Sequence, residues 1–344
     1  MIVRAKPWIV DHPFFAFLLI NFALTWSLWL LMPAPSPGEI PVQFLAGSFG
    51  PALAAMLVSG VIDPKTVSCP RSKRWMAFGL ILVAGAGVIW LSRAVLFAGD
   101  YGMVWIATAA MAVVLAALVV SMRYASNEGI RRLLGSILDW RKPLGWYALV
   151  FLLIPATYGV SILSFEPLTG RTLPPMPYQG PIGDLPVAIL AAFALRLFFG
   201  GANEEPGWRG FAIPQLQKSH SPLMASIIVA LFWGLWHLPL HLNGVYSSGW
   251  MGLAQVAARM IMGIPFSILM TWVFNRSGGS LLLVMLLHAT NNTTPQFLLP
   301  GFIEQLLMWL AAAIVMVRAK MWRKPGIMPG DALPSRVGVD LAEG

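Results

Sequence analysis

The chain has 344 residues, of which 58% are hydrophobic and 11% are charged, with a net charge of +9 and a single cysteine, Cys69. Soluble domains average about 45–50% apolar and about 25% charged residues, so this composition excludes an ordinary soluble fold and predicts an integral membrane protein. One cysteine excludes an intrachain disulfide. We interpret the positive charge as cytoplasmic loops that face anionic lipid, not as a nucleic-acid-binding surface.

Hydropathy predicts an all-α, polytopic transmembrane helical bundle of about ten spans, because a span needs about 20 mostly apolar residues. The candidate spans are 12–32, 40–61, 75–98, 102–122, 146–165, 185–202, 221–243, 250–274, 279–299 and 301–318. If the N-terminus is cytoplasmic, 19 of the 23 lysines and arginines lie on the cytoplasmic side and only Arg171 lies on the opposite side. This asymmetry predicts that the N- and C-termini are both cytoplasmic.

The chain is predicted to have three segments. Residues 1–145 form N-terminal transmembrane helices, residues 146–318 form a C-terminal membrane region with its last span, and residues 319–344 form a cytoplasmic tail. The tail after Lys324 has little apolar content and is predicted to be disordered. Near 128–142, Ile130, Leu133, Leu134 and Ile137 recur at helical spacing. This pattern predicts an amphipathic helix on the cytoplasmic surface, with a solvated connector as the alternative.

The most informative stretch is residues 203–210, which read NEEPGWRG at the end of an apolar run. A charge at membrane depth costs at least about 2.5–3.5 kcal/mol, so two carboxylates and an arginine there suggest function. Arg209 follows Glu205 by four residues and shares its helical face. We therefore expect Arg209 to hold Glu205 ionised and to leave Glu204 free for proton transfer. The alternative is a salt bridge at a cytoplasmic helix end, where Pro206 suggests a break.

Three further polar residues lie in apolar segments downstream. His288 and Asn292 have i, i+4 spacing, so both are expected to face one cavity and to donate hydrogen bonds to an oxyanion. His237 precedes them in another apolar segment. His241 follows one turn later and is expected near the membrane interface; Leu238 occupies the position of the glutamate in the zinc motif H-E-x-x-H. The alternative for these residues is polar contact between helices.

Taken together, these motifs resemble those of the CPBP intramembrane proteases, a family that includes the type II CAAX prenyl endopeptidases and the Abi proteins. Motif E-E-x-x-x-R matches Glu204, Glu205 and Arg209; F-x-x-x-H matches at His237, with Trp233 in place of phenylalanine; H-x-x-x-N matches His288 and Asn292. The resemblance covers roughly residues 146–299. We expect Trp233 to preserve an aromatic wall without affecting the chemistry.

The resemblance implies an intramembrane endopeptidase that acts on a membrane-associated or lipidated peptide or protein. Glu204 with His237 would activate water, and His288 with Asn292 would stabilise the oxyanion. Glu205 and Arg209 would orient the site. We favour a site without a cofactor, because asparagine is a poor zinc ligand and a good oxyanion donor. The alternative is a catalytic zinc held by Glu204, His237 and His288.

Two other classes of function stay open at this point. A proton-coupled transporter would use the same glutamates and histidines as a relay, but the sequence shows no inverted repeat. A non-catalytic immunity or scaffolding protein would use them for binding. The expected location is the plasma membrane of a bacterium. One geometric question remains, because Glu204 falls at the cytoplasmic end of span 185–202 while His237 and His288 lie deeper. That span must be tilted or longer, or residues 203–215 must re-enter the bundle.

Overall fold

The computed structural model describes residues 2–32, 41–96, 102–246 and 249–324. The predicted disordered tail beyond Lys324 lies outside these ranges. Within them the chain is helical, and it contains no β-strand apart from an isolated bridge between Thr66 and Asn127. The predicted all-α fold is therefore confirmed.

The described residues of the first half of the chain form eight α-helices. They are α1 (Ile2–Asp11), α2 (Pro13–Leu30), α3 (Val42–Ser48), α4 (Gly50–Ile62), α5 (Arg71–Leu96), α6 (Gly102–Ser121), α7 (Glu128–Leu133) and α8 (Leu144–Thr169). Proline at the first or second position of α2 and α4 suits a helix start, because the missing N–H would have no partner in the first turn.

Eight more α-helices lie in the described residues of the second half. They are α9 (Leu185–Arg196), α10 (Ala202–Gly207), α11 (Ile213–Gln217), α12 (Pro222–Trp236), α13 (Leu238–Leu242), α14 (Gly249–Arg276), α15 (Leu281–Thr293) and α16 (Phe302–Arg318). Short π-helical segments, Leu197–Gly201 and Trp208–Ala212, join α9, α10 and α11 into one long unit. Helices α12 and α15 start at serine caps, where Ser221 accepts from the N–H of Met224 and Ser280 accepts from that of Leu283.

Seven helical stretches of the described residues are long and apolar enough to cross a membrane. They are Pro13–Leu30, Val42–Ile62, Arg71–Leu91, Trp105–Tyr124, Leu144–Thr169, Ile182–Gln217 and Gly249–Arg276. Helices α12, α15 and α16 are shorter, with 15, 13 and 17 residues. Every predicted span is thus helical over most of its described residues, whereas the count of ten crossings and the cytoplasmic termini stay predictions.

The predicted amphipathic helix near 128–142 is shorter than expected. Helix α7 contains only six residues, and its cap is Asn127, whose side chain accepts from the N–H of Ile130. The chain then continues through turns, and the side chains of Leu134 and Ile137 are fully buried in the main apolar core. Leu134 and Ile137 therefore pack in the core of the protein, whereas the prediction placed this segment as a helix on the surface.

The unit from α9 to α11 breaks at one point, which lies next to the polar residues. Phe199 and Gly200 have non-helical backbone angles, and Gly200 has a φ of 128° that side chains rarely permit. Asn203 satisfies the freed backbone N–H of Gly200 at 2.5 Å, and it donates to the hydroxyl of Ser48 at 2.9 Å. A break in a membrane helix is tolerated where its polar groups find such partners.

The segment after the break lies inside the bundle. A Cβ on Gly207 would lie 2.6 Å from the backbone of Pro51 in α4, so the two helices are in close contact. The rings of Trp208 and Phe17 meet edge to face at 5.4 Å, which packs the segment against α2. The span that contains Glu204 is therefore longer than the predicted 185–202. The longer stretch, Ile182–Gln217, brings Glu204 next to the helices that carry His237 and His288.

Candidate active site

Glu204 and Glu205 occupy the first turn of α10, directly after the break at Gly200. The N-terminus of a helical segment carries a partial positive charge, which favours carboxylates there. Their side chains are deeply enclosed, with Glu204 7% exposed and Glu205 fully buried. Burial of two adjacent carboxylates requires specific partners, because an unpaired buried charge is strongly destabilising.

Glu205 has two such partners. Its Oε1 accepts from Nη1 of Arg209 at 3.1 Å, as the i, i+4 spacing predicted, and from Nδ1 of His288 at 2.5 Å. Arg209 and His288 are themselves only 2% and 1% exposed. The carboxylate therefore connects two helical segments, one in the α9–α11 unit and the other α15. It also orients the His288 ring by holding its Nδ1.

Glu204 has a different partner, the indole of Trp233 on α12. Nε1 of Trp233 donates to Oε2 of Glu204 at 2.7 Å, a short hydrogen bond to a carboxylate. The backbone oxygen of Trp233 accepts from Nδ1 of His237 at 2.7 Å, and the two rings meet edge to face at 4.7 Å. One residue thus holds both Glu204 and His237. The expectation that Trp233 supplies only an aromatic wall missed this hydrogen bond, which phenylalanine has no N–H to make.

The contacts define the available nitrogen on each histidine. In His237 the proton lies on Nδ1, so in the neutral ring Nε2 carries a lone pair that can accept a proton. In His288 the Nδ1 proton is held by Glu205, and Nε2 is again the nitrogen left for a ligand. Phe266 packs edge to face against the His288 ring at 6.0 Å. The two Nε2 atoms are therefore the chemically usable ones.

Asn292 lies one turn after His288, beside the break in the long unit. A Cβ on Gly200 would lie 2.8 Å from Nδ2 of Asn292 and 3.8 Å from Cδ2 of His288. Glycine is thus needed at this point for space as well as for its backbone angle. Asn292 is half-buried, and its oxygen accepts from the amide of Asn291 at 3.3 Å. His288 and Asn292 therefore both flank Gly200, as their spacing on one helical face predicted.

His241 lies outside this cluster. It is buried, and its ring packs against Tyr246 at 5.1 Å. His241 was expected near the membrane interface, but its side chain is enclosed by the protein. Its neighbours include Arg259, whose guanidinium also lies over the Tyr246 ring at 5.1 Å.

The fit to a metal can be tested on the donor atoms. Within the described ranges, no three or more histidine, cysteine, aspartate or glutamate side chains are grouped so as to hold a metal ion. In the zinc alternative, the Nδ1 contacts of His237 and His288 leave Nε2 of each ring open, so these contacts do not by themselves exclude a metal. Because the described side chains are not grouped as a three-ligand site, no step below is assigned to a metal.

The supporting residues come partly from outside the motifs. Ser48 on α3 holds Asn203, and Pro51 on α4 contacts Gly207. Sequence reasoning did not single out these N-terminal residues. For Ser48, the signal available in the sequence was a polar side chain within an apolar run, as it was for Asn203.

Fold and site together define a helical membrane protein with a buried cluster of two glutamates, an arginine and two histidines. Residues 186–294 match the model of the family described as Type II CAAX prenyl endopeptidase Rce1-like. All six predicted site residues lie within this range. The chain is also 32% identical over 185 residues to CAAX prenyl protease 2 of Methanococcus maripaludis. That alignment covers 50% of this chain and 66% of the relative, slightly less than two thirds of its length.

On these findings the resemblance to the type II CAAX prenyl endopeptidases of the CPBP family, seen in the sequence, is confirmed for the region that carries the candidate site. With its seven apolar helices of spanning length among the described residues, the chain is an integral membrane protein.

Proposed function

We propose that this protein is an intramembrane endopeptidase that hydrolyses a peptide bond of a membrane-associated or lipidated peptide or protein. The observation that carries the proposal is the way Trp233 and Glu205 hold the site. Trp233 binds Glu204 and His237, while Glu205 binds Arg209 and His288, all within one bundle of apolar helices. Such a set of ionisable groups at membrane depth favours catalysis or proton transfer over a structural role.

In the proposed mechanism, Glu204 and His237 activate a water molecule. Glu204 is the better base of the two glutamates, because the Glu205 carboxylate is already engaged by an arginine and a histidine. His237 presents a lone pair on Nε2, so it can share the proton of the water. Trp233 positions both groups and does not itself react. The hydroxide equivalent attacks the carbonyl carbon of the scissile peptide bond, and the proton is later delivered to the leaving nitrogen.

His288 and Asn292 are proposed to stabilise the oxyanion that this attack creates. Asn292 has an amide N–H₂ beside Gly200, at the break in the helix. His288 donates from Nε2 only as an imidazolium, for which the Glu205 carboxylate is the counter-ion. One oxyanion donor contributes about 2.7–4 kcal/mol to catalysis in enzymes of other folds. Glu205 and Arg209 act as positioning residues, because Glu205 contacts His288 and Arg209 contacts Glu205.

The proposed substrate class is supported by the relative and by the membrane setting. The name of the relative, CAAX prenyl protease 2, refers to proteins that end in a cysteine followed by three residues, a motif that is prenylated on the cysteine. We therefore propose a lipidated carboxyl-terminal peptide as the substrate. A bacterial plasma membrane is the proposed location.

The test compares wild type with Glu204→Gln, both purified in detergent, on a quenched library of prenylated and unprenylated peptides. Glu166→Gln is the matched control, since Glu166 is exposed at the far end of α8. We expect wild type and the control to cleave, and Glu204→Gln to lose activity at least about a hundredfold. Each arm is repeated with a chelator, because sensitivity to it would favour the metal alternative. Equal cleavage by wild type and Glu204→Gln would refute the role of Glu204 and indicate a contaminating protease.

A further inference from the structure

A cavity of about 370 Å³ adjoins the candidate active site. Its lining includes Trp233, Gln255, Arg259, Phe266, Asn291 and Met308. Three of these residues contact the site itself: Trp233 holds Glu204, Phe266 packs on His288, and Asn291 donates to Asn292. The cavity and the proposed catalytic groups therefore share walls, and a bound peptide can extend from one to the other.

Arg259 is the cationic residue of this lining, and the proposed mechanism does not use it. It lies in α14, about 15 Å from the helix start at 1.5 Å per residue. Its guanidinium lies over two aromatic rings, 5.8 Å from the centre of Trp233 and 5.1 Å from that of Tyr246. Cation–π contacts of this kind hold an arginine in place without neutralising its charge.

The charge of Arg259 lacks an anionic partner in the part of the chain that the structure describes. Among the residues that the structure describes, no ion pair includes Arg259, and its buried Nε makes no hydrogen bond. The other charged residue of the lining, Glu304, accepts from the Gln305 amide at 3.2 Å. A cation within a membrane helix, paired with no carboxylate, suggests an anionic ligand.

The shared contact with Trp233 limits the separation between Arg259 and Glu204. Both contact the same indole: the Arg259 guanidinium lies 5.8 Å from its centre, and Glu204 lies 2.7 Å from its nitrogen. With the half-width of the indole added, the two groups are at most about 11 Å apart, so no more than about three extended residues fit between them. Met262, Phe266 and Met308 add apolar side chains to the lining of the cavity.

We propose that Arg259 binds the terminal carboxylate of the substrate peptide, and that the cavity holds the residues between that carboxylate and the scissile bond. This inference rests on the proposed function, because it assigns one end of the same substrate. It predicts a substrate requirement: a free carboxyl terminus within about three residues of the cleaved bond. Arg259 is a specificity-determining residue in this scheme and takes no part in water activation.

The test measures binding, so that it does not depend on turnover. A fluorescent peptide ending in a prenylated cysteine and three apolar residues is prepared as the free acid and as the carboxyl-terminal amide. Both are titrated by anisotropy against full-length protein that carries Glu204→Gln. Added to that background are Arg259→Gln, Arg259→Lys and a control, Arg276→Gln. Arg276 lies on the same helix, is exposed in its last turn and is about 25 Å away.

We expect the acid to bind at least about tenfold more tightly than the amide, since the amide loses a charge-assisted contact. Arg259→Gln should bind both peptides equally, Arg259→Lys should retain part of the preference, and Arg276→Gln should retain all of it. Equal binding of acid and amide by the parent protein, or no binding of either, overturns the proposal. A preference that survives Arg259→Gln also overturns it. Failure of the proposed function is seen separately, as absence of cleavage by the wild type despite selective binding of the acid.

Discussion

Replacing Trp233 with phenylalanine removes one hydrogen-bond donor from Glu204 and keeps an aromatic ring in the same place. The lost bond is 2.7 Å long and joins an indole N–H to a carboxylate that is 7% exposed. Hydrogen bonds to charged groups contribute about 1.5–3 kcal/mol, and each 1.36 kcal/mol is tenfold in rate. We therefore expect kcat to fall about 10- to 150-fold, with KM little changed, because the indole positions the base and does not bind the peptide bond.

The assay is cleavage of a prenylated quenched peptide under single-turnover and steady-state conditions, which separates kcat from KM. The matched control is Trp236→Phe. Trp236 lies on the same helix, is buried and also packs against His237, but its indole nitrogen has no hydrogen-bond partner among the described residues. This variant should lose packing without losing a hydrogen bond. The reasoning is refuted if Trp233→Phe stays within about twofold of wild type, a difference of about 0.4 kcal/mol, or if Trp236→Phe falls as far.

Two further variants test the framework of the site, both by unfolding in detergent. Gly200→Ala places a Cβ 2.8 Å from Nδ2 of Asn292 at a φ of 128°, so we expect a loss of about 1–3 kcal/mol of stability. An unchanged unfolding midpoint would contradict the inference that the backbone is strained at this break. Glu205→Gln leaves Arg209 buried without its carboxylate, so we expect a loss of about 3–5 kcal/mol of stability. Neutralising Glu205 and Arg209 in one protein should cost less than the sum of the two single changes. Additive costs would show that the two residues do not act as a pair.

The sequence by itself determined the features that depend on local periodicity. Long apolar runs predict helices because only hydrogen-bonded helices satisfy the backbone within a membrane, and each predicted span is helical over most of its described residues. The i, i+4 spacing correctly placed Arg209 beside Glu205, and it placed His288 and Asn292 on one face beside Gly200. These relations follow from the 3.6-residue turn alone.

Tertiary structure decided which of these faces meet. Glu204 pairs with an indole 29 residues away, and Glu205 pairs with a histidine 83 residues away. Asn203 stabilises the break at Gly200 through Ser48, across 155 residues. No spacing rule predicts such partners, because they depend on how the helices pack. For the same reason, the sequence placed Trp233 in an aromatic wall, and only the packing of α12 against α10 gave its N–H a carboxylate to bind.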